Sequence, residues 1–203
     1  DNDPSIKEKQ FIVSKKRSQL LTEVQQTLLE NGITECAESE WIISLVLNIK
    51  RDQVNCDKMV SPKYIEKINE IVEKRITGRP LWYCIGDTEF YGYTIKVDER
   101  VLIPRPETEL LVENALKCIN QDSCVLDLCT GSGAIAIAIS KQSKAHVTAV
   151  DISQEAIDLA SKNAELNDVN INFVVSNMFE NLTDQKFDVI VSNPPYIKSQ
   201  EIN

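Results

Sequence analysis

The sequence holds a single histidine, His146, and no closely paired cysteines. Its six cysteines, at positions 36, 56, 84, 118, 124 and 129, include no C-x-x-C pair. Zinc needs several nitrogen or sulfur donors at set spacings, so no metal is expected. A disulfide framework is not indicated in a chain with this much core, and reduced thiols are the expectation. Long apolar runs are missing too: the stretches at residues 42–47 and 134–139 are far too short to span a bilayer. No signal-peptide pattern opens the chain, and Asn181-Leu182-Thr183 is read as a chance glycosylation sequon. Positive charge is scarce, 22 basic against 31 acidic residues giving a net −9. Without a Lys/Arg cluster, nothing draws the chain to phosphate backbones, so direct nucleic-acid binding is not expected. Internal repeats and low-complexity segments are absent. These absences favour a cytoplasmic protein away from membranes; a monomer is the expectation, with nothing in the sequence that fixes the oligomeric state. The lack of an initiator Met suggests a trimmed or engineered N-terminus.

What is present is ordinary globular composition, 42% hydrophobic with 26% charged residues. Residues 1–76 read as a small all-helical domain. Residues 6–29 carry helical spacing up to Asn31-Gly32, residues 38–48 a second amphipathic stretch with Ser39 as N-cap, and Ser61-Pro62 opens a third helix reaching Ile76. Breakers at Gly78-Arg79-Pro80 and Gly86-Asp87 then frame a hairpin over residues 89–97, so 77–105 reads as a linker. Residues 106–120 form a helical stretch. Beyond it, short β-branched runs at 125–128, 147–150, 171–175 and 189–192 alternate with helical segments at 133–141 and 154–167. That alternation predicts an α/β Rossmann-like domain over 106–203, a doubly wound parallel sheet with right-handed crossovers.

Ligands of such sheets bind beyond the carboxyl ends of the strands. After the first strand comes Asp127-Leu128-Cys129-Thr130-Gly131-Ser132-Gly133, a glycine turn into a helix. Glycine lets the backbone turn tightly and approach a ligand closely, although the third glycine of a dinucleotide fingerprint is missing. Asp151 ends the second strand, where a carboxylate accepts ribose hydroxyls or else caps the next helix. Ser176-Asn177-Met178-Phe179 follows the third strand. Asn177 is placed to hydrogen-bond an adenine edge, with Met178 or Phe179 against the ring, or else these side chains simply pack.

The fourth strand runs into Asn193-Pro194-Pro195-Tyr196. Two prolines fix φ and cannot donate to a ladder, so this is a shaped loop. The Asn193 carboxamide and the Pro194 carbonyl offer acceptors for an NH2 group, and Tyr196 offers a stacking face. Together the two loops read as an S-adenosylmethionine site facing an amide or amine nucleophile. Such a transfer needs an oriented lone pair more than a strong base, and no catalytic base is assigned.

With these motifs the chain resembles the release-factor glutamine N5-methyltransferases, the HemK-like proteins. The likeness also rests on Gly78-Arg79-Pro80-Leu81, Gly86-Asp87-Thr88-Glu89-Phe90-Tyr91-Gly92 and Ile103-Pro104-Arg105-Pro106-Glu107-Thr108-Glu109. The resemblance implies a helical partner-recognition domain and methylation of the glutamine in the Gly-Gly-Gln motif of class I peptide chain release factors. It assigns S-adenosylmethionine to Cys129, Thr130, Gly131, Ser132, Gly133, Asp151, Asn177, Met178 and Asn193. It assigns the glutamine to Asn193, Pro194, Pro195 and Tyr196, with Asn193, Pro194 and Tyr196 catalytic. Residues 105–108 would lie near the cofactor pocket. Cys129 stands where many relatives have glycine, and Asn177 where an acidic residue is common. The family also continues beyond the point where this chain stops, so the expectation is a C-terminally truncated protein with an incomplete sheet, an unpaired edge and little activity. The competing readings are an adenine-N6 nucleic-acid methyltransferase, which would want basic surface, and a non-catalytic fragment that docks a translation factor.

Overall fold

A computed structural model describes residues 12–196, and the chain divides into two compact units, Asp1–Ile85 and Gly86–Asn203. In the first unit, β1 (Lys15–Lys16) pairs antiparallel with β2 (Met59–Val60), and three helices carry the mass: α1 (Arg17–Glu30), α2 (Ala37–Leu47) and α3 (Pro62–Ile76). Apolar residues at helical spacing (Leu20, Leu21, Val24 and Leu28 on α1; Ile65, Ile68 and Val72 on α3) meet Ile42 and Ile43 of α2 in one core. Pro62 takes the first position of α3, where its missing N–H costs nothing. A short α4 (Leu81–Ile85) ends the unit, and its Trp82 packs edge-on against Trp41 with ring centroids 5.5 Å apart.

Three details differ from the sequence reading. The first helix starts at Arg17 rather than Ile6: residues 1–11 lie outside the described residues, and Lys15–Lys16 is spent on the β1–β2 pair. Ser39 does not cap α2. It lies inside the helix and its hydroxyl donates back to the Cys36 carbonyl at 2.9 Å, leaving Cys36 at the cap position. Residues 106–120 are not one helix but a 3-10 turn, Pro106–Thr108, followed by α5 (Glu109–Leu116).

The second unit opens with a hairpin, β3 (Asp87–Phe90) and β4 (Tyr93–Lys96). Its sheet is built from β5 (Cys124–Leu128), β6 (His146–Asp151), β7 (Asn172–Val175) and β8 (Val189–Ser192). All neighbours are parallel, in the order β7-β6-β5-β8. The crossover helices are α6 (Ala134–Ser143) and α7 (Gln154–Leu166). Val125 to Leu128 are buried without alternation, as expected of a central parallel strand covered on both faces. From β5 the chain steps outward through β6 to β7, then returns to β8 on the other side of β5. This reversal opens a crevice at the carboxyl ends of the strands, where open α/β sheets bind ligands. The architecture is the α/β, Rossmann-like class, preceded by a helical region. Among the described residues no helix is long and apolar enough to cross a membrane.

Candidate functional site

A cavity of about 550 Å³ occupies that crevice. Each strand sends its following loop to the wall: Cys129, Thr130, Gly131 and Ser132 after β5, Asp151 and Ile152 after β6, Asn177 and Met178 after β7, and Asn193 and Pro195 after β8. Of the residues singled out in the sequence, Gly133, Pro194 and Tyr196 are not part of this lining.

The glycine turn is fixed by backbone hydrogen bonds. Thr130 N–H donates to the Val150 carbonyl and Gly133 N–H to the Thr130 carbonyl, each at 2.9 Å. Gly131 has φ +53° with no atom near an added Cβ, so its backbone conformation sets the requirement. Gly133 answers a different need: at φ +82°, a Cβ would come within 3.1 Å of the Ala160 Cβ on α7. It permits close packing rather than close approach to a ligand.

Asp151 is held by two backbone donors. Gly131 N–H reaches Oδ2 at 2.9 Å and Ser153 N–H reaches Oδ1 at 3.1 Å. A carboxylate offers about four acceptor sites, so each oxygen keeps a lone pair for a vicinal diol. The cap of α7 is Ser153, whose hydroxyl accepts from Ala156 N–H. Asn177 donates its Nδ2 to Glu180 Oε1 at 2.8 Å, which leaves its Oδ1 to act as an acceptor. Ile152 is 71% exposed beside Asp151 and offers an apolar face to an aromatic base. It was missed in the sequence, where a lone isoleucine after a strand carries no signal beyond its position next to the acidic residue. Leu102, also exposed on the cavity wall, belongs to the stretch read as linker.

Beneath the turn lies Asp127, completely buried, its Oδ2 accepting from Thr130 Oγ1 at 2.7 Å. Oδ1 has no partner with hydrogen-bonding geometry, although the Ala136 amide favours the charged form. Loss of hydration dominates and pushes the carboxyl up to about 7. Cys129 has φ +59°, a left-handed conformation unusual for a side-chain-bearing residue. Partial burial raises its thiol pKa, opposed by a Ser192 hydrogen bond and reinforced by the charges of Asp151 and Asp127. Such a thiol is kept protonated and unreactive.

On the fourth wall, Asn193 donates its Nδ2 to Thr108 Oγ1 at 3.4 Å. Tyr196 is 81% exposed, and the Arg105 guanidinium lies over its ring, 5.8 Å from the centroid. Among the described residues no cluster of His, Cys, Asp or Glu could hold a metal ion. The donor set instead suits S-adenosylmethionine: a diol acceptor at Asp151, an acceptor at Asn177 for an amino group, apolar faces for a base, and a tight glycine turn.

A parallel sheet with this crevice, turn and acidic residue defines a Rossmann-like methyltransferase domain. Residues 106–203 match the Methyltransferase small domain family, and residues 19–86 match the PrmC N-terminal domain family. The chain is 40% identical over 179 residues to the release factor glutamine methyltransferase of Geobacter sulfurreducens, covering 86% of this chain and 63% of that protein. It is 48% identical over 136 residues to the Streptococcus pneumoniae protein of the same name, covering 66% of this chain and 48% of that one. Among solved structures, the Thermus thermophilus 16S rRNA N2 G1207 methyltransferase in complex with AdoMet and guanosine aligns with a TM-score of 0.49 at 26% identity, over 56% of this chain and 33% of that one. Over most of its own length the chain is similar to release factor glutamine methyltransferases. It spans 63% and 48% of the length of the two relatives just named.

Proposed function

We propose that this chain methylates the side-chain nitrogen of a glutamine, N5, in the Gly-Gly-Gln motif of class I peptide chain release factors, in the cytoplasm. The observation that carries the reading is one cavity lined both by the turn with Asp151 and by Asn193. Similarity to relatives that bear that name supports it. In this reading Asp151 holds the ribose diol and Asn177 the adenine amino group, with Ile152 and Met178 against the ring. Bound S-adenosylmethionine supplies an electrophilic methyl group on a sulfonium.

The chain's own residues then have one task, orientation. Asn193 Oδ1 and the Pro194 carbonyl accept the two hydrogens of the substrate NH2, and Tyr196 stacks on the amide plane. An amide nitrogen is a poor nucleophile because its lone pair is delocalised into the carbonyl. Acceptors at both N–H bonds push density back onto nitrogen and hold the lone pair in line with the methyl carbon. With the cofactor bound, a C–N bond would form as its S–C bond breaks and the surplus proton would leave nitrogen for water, so no strong base is required of the chain.

The test is transfer of labelled methyl from S-adenosylmethionine to a purified release factor, beside the factor with its Gly-Gly-Gln glutamine changed to alanine. Label is expected on the unaltered factor alone and is expected to vanish with Asn193→Ala. Equal labelling of both factors, or of neither, would refute the assignment.

A further inference from the structure

One short turn touches both ends of the Asn193–Tyr196 loop. The 3-10 turn Pro106–Thr108 is closed by Thr108 N–H donating to the Arg105 carbonyl at 3.0 Å. From it, Thr108 Oγ1 accepts from Asn193 Nδ2 at 3.4 Å, and the Arg105 guanidinium lies 5.8 Å from the Tyr196 ring centroid. Thr108 and Asn193 line the same cavity. We propose that Thr108 is a positioning residue, which takes the NH2 end of the Asn193 carboxamide and so presents its Oδ1 to the substrate amino group. This rests on the glutamine-methylation reading above.

A carboxamide has a donor end and an acceptor end of nearly equal size. Turned over, Asn193 would set two N–H donors against the N–H donors of its substrate, and nothing would be bonded. With Nδ2 engaged by the Thr108 hydroxyl, the substrate N–H, Asn193 and Thr108 form a continuous donor-to-acceptor chain. Bonds in such a chain polarise one another, which makes Oδ1 a better acceptor. The present bond is long, and catalytic hydrogen bonds commonly tighten only when substrate is bound. Arg105 steadies the other end of the loop by covering one face of Tyr196, which leaves the opposite face for a planar amide.

Thr108→Val keeps the shape and removes the hydroxyl, while Thr108→Ser keeps the hydroxyl. With release factor as acceptor, Thr108→Val is expected to lower kcat about ten- to a hundredfold, the scale of a misaligned nucleophile. The Kd for S-adenosylmethionine should stay within about twofold, and the KM for the factor should change less than kcat, because one amide contact is a small part of a protein-sized binding surface. Thr108→Ser should restore kcat. The side-chain amide signal of Asn193 in a 15N spectrum, assigned by its loss in Asn193→Ala, gives a readout free of turnover. It should be displaced and slow to exchange in the unaltered chain and in Thr108→Ser, and should move to the position of a free asparagine in Thr108→Val. An unchanged kcat or an unchanged amide signal in Thr108→Val would overturn the proposal. If the unaltered chain labels no release factor, the methylation reading falls, and the amide signal alone decides whether Thr108 holds Asn193.

Discussion

At Cys129 the backbone adopts φ +59° with a side chain attached. A left-handed conformation costs an L-residue about 1–2 kcal/mol, while glycine loses roughly 0.5–1 kcal/mol through its freer unfolded chain. Cys129→Gly is therefore expected to stabilise the fold by about 0.5–1 kcal/mol, and Cys129→Val, branched at Cβ, to destabilise it by at least as much. Urea midpoints at constant slope would show the order Gly, Cys, Val, and any other order contradicts backbone strain at this position. A second residue-scale effect sits at Asn177. The sequence shows an amide where an acceptor is wanted. The structure supplies the missing half, because Glu180 occupies Nδ2 at 2.8 Å and leaves the carbonyl oxygen to accept. Glu180→Ala frees the amide to turn over and should weaken S-adenosylmethionine binding about three- to tenfold, the worth of one hydrogen bond. Calorimetric titration reads this directly, and an unchanged Kd would mean that Asn177 does not touch the adenine.

At the scale of elements, the hairpin is joined to the glycine turn by Asn163 of α7. This fully buried side chain accepts from Lys96 N–H at 2.8 Å and donates to the Lys96 carbonyl at 3.0 Å and to the Ser132 carbonyl at 2.8 Å. Asn163→Ala leaves the buried Ser132 carbonyl and two part-buried Lys96 backbone groups without partners, and should cost about 2–3 kcal/mol. Hydrogen exchange should then rise in both β4 and the turn; a rise confined to α7 would show that Asn163 does not link them. None of this could be read from one asparagine in a helix, since its partners lie 67 and 31 residues away. The four sheet strands were legible for the opposite reason: each is a short local run rich in apolar and β-branched residues, although only β5 and β6 are buried along most of their length. The β1–β2 pair carries only two residues per strand, too few for any period. Helix α4 was hidden likewise: its five residues follow Gly78-Arg79-Pro80, and packing such as Trp82 on Trp41 holds it rather than local pattern. Cavity-lining residues at strand ends were legible because topology fixes where loops gather. Ile152 and the Asn193–Thr108 contact were not, since they depend on side-chain direction and on residues 85 apart.

For the whole molecule, the net charge of −9 disfavours an adenine-N6 reading that needs basic surface, while the response of stability to pH follows from which carboxylates change pKa on folding. Most carboxylates here are solvated, but Asp127 is buried and its pKa is raised from 3.8 to about 7, chiefly by lost hydration. A carboxyl whose folded pKa exceeds its unfolded value favours folding by staying protonated. Below the unfolded pKa both states hold the proton and there is no penalty. As pH rises from about 4 to about 7 the unfolded chain gives up its proton first, and that contribution to stability is lost progressively. The full swing is roughly 4 kcal/mol at most, three pKa units at 1.36 kcal/mol each. Asp127→Asn keeps an acceptor for Thr130 Oγ1 but cannot ionise. Unfolding free energies of the two proteins should therefore lie closest near pH 4 and diverge toward pH 8, with Asp127→Asn gaining on the unaltered chain throughout. The difference between the two curves isolates Asp127 from every other carboxylate. If it stays flat between pH 4 and 8, the carboxyl is ionised throughout, and the Ala136 amide and Thr130 hydroxyl outweigh its burial.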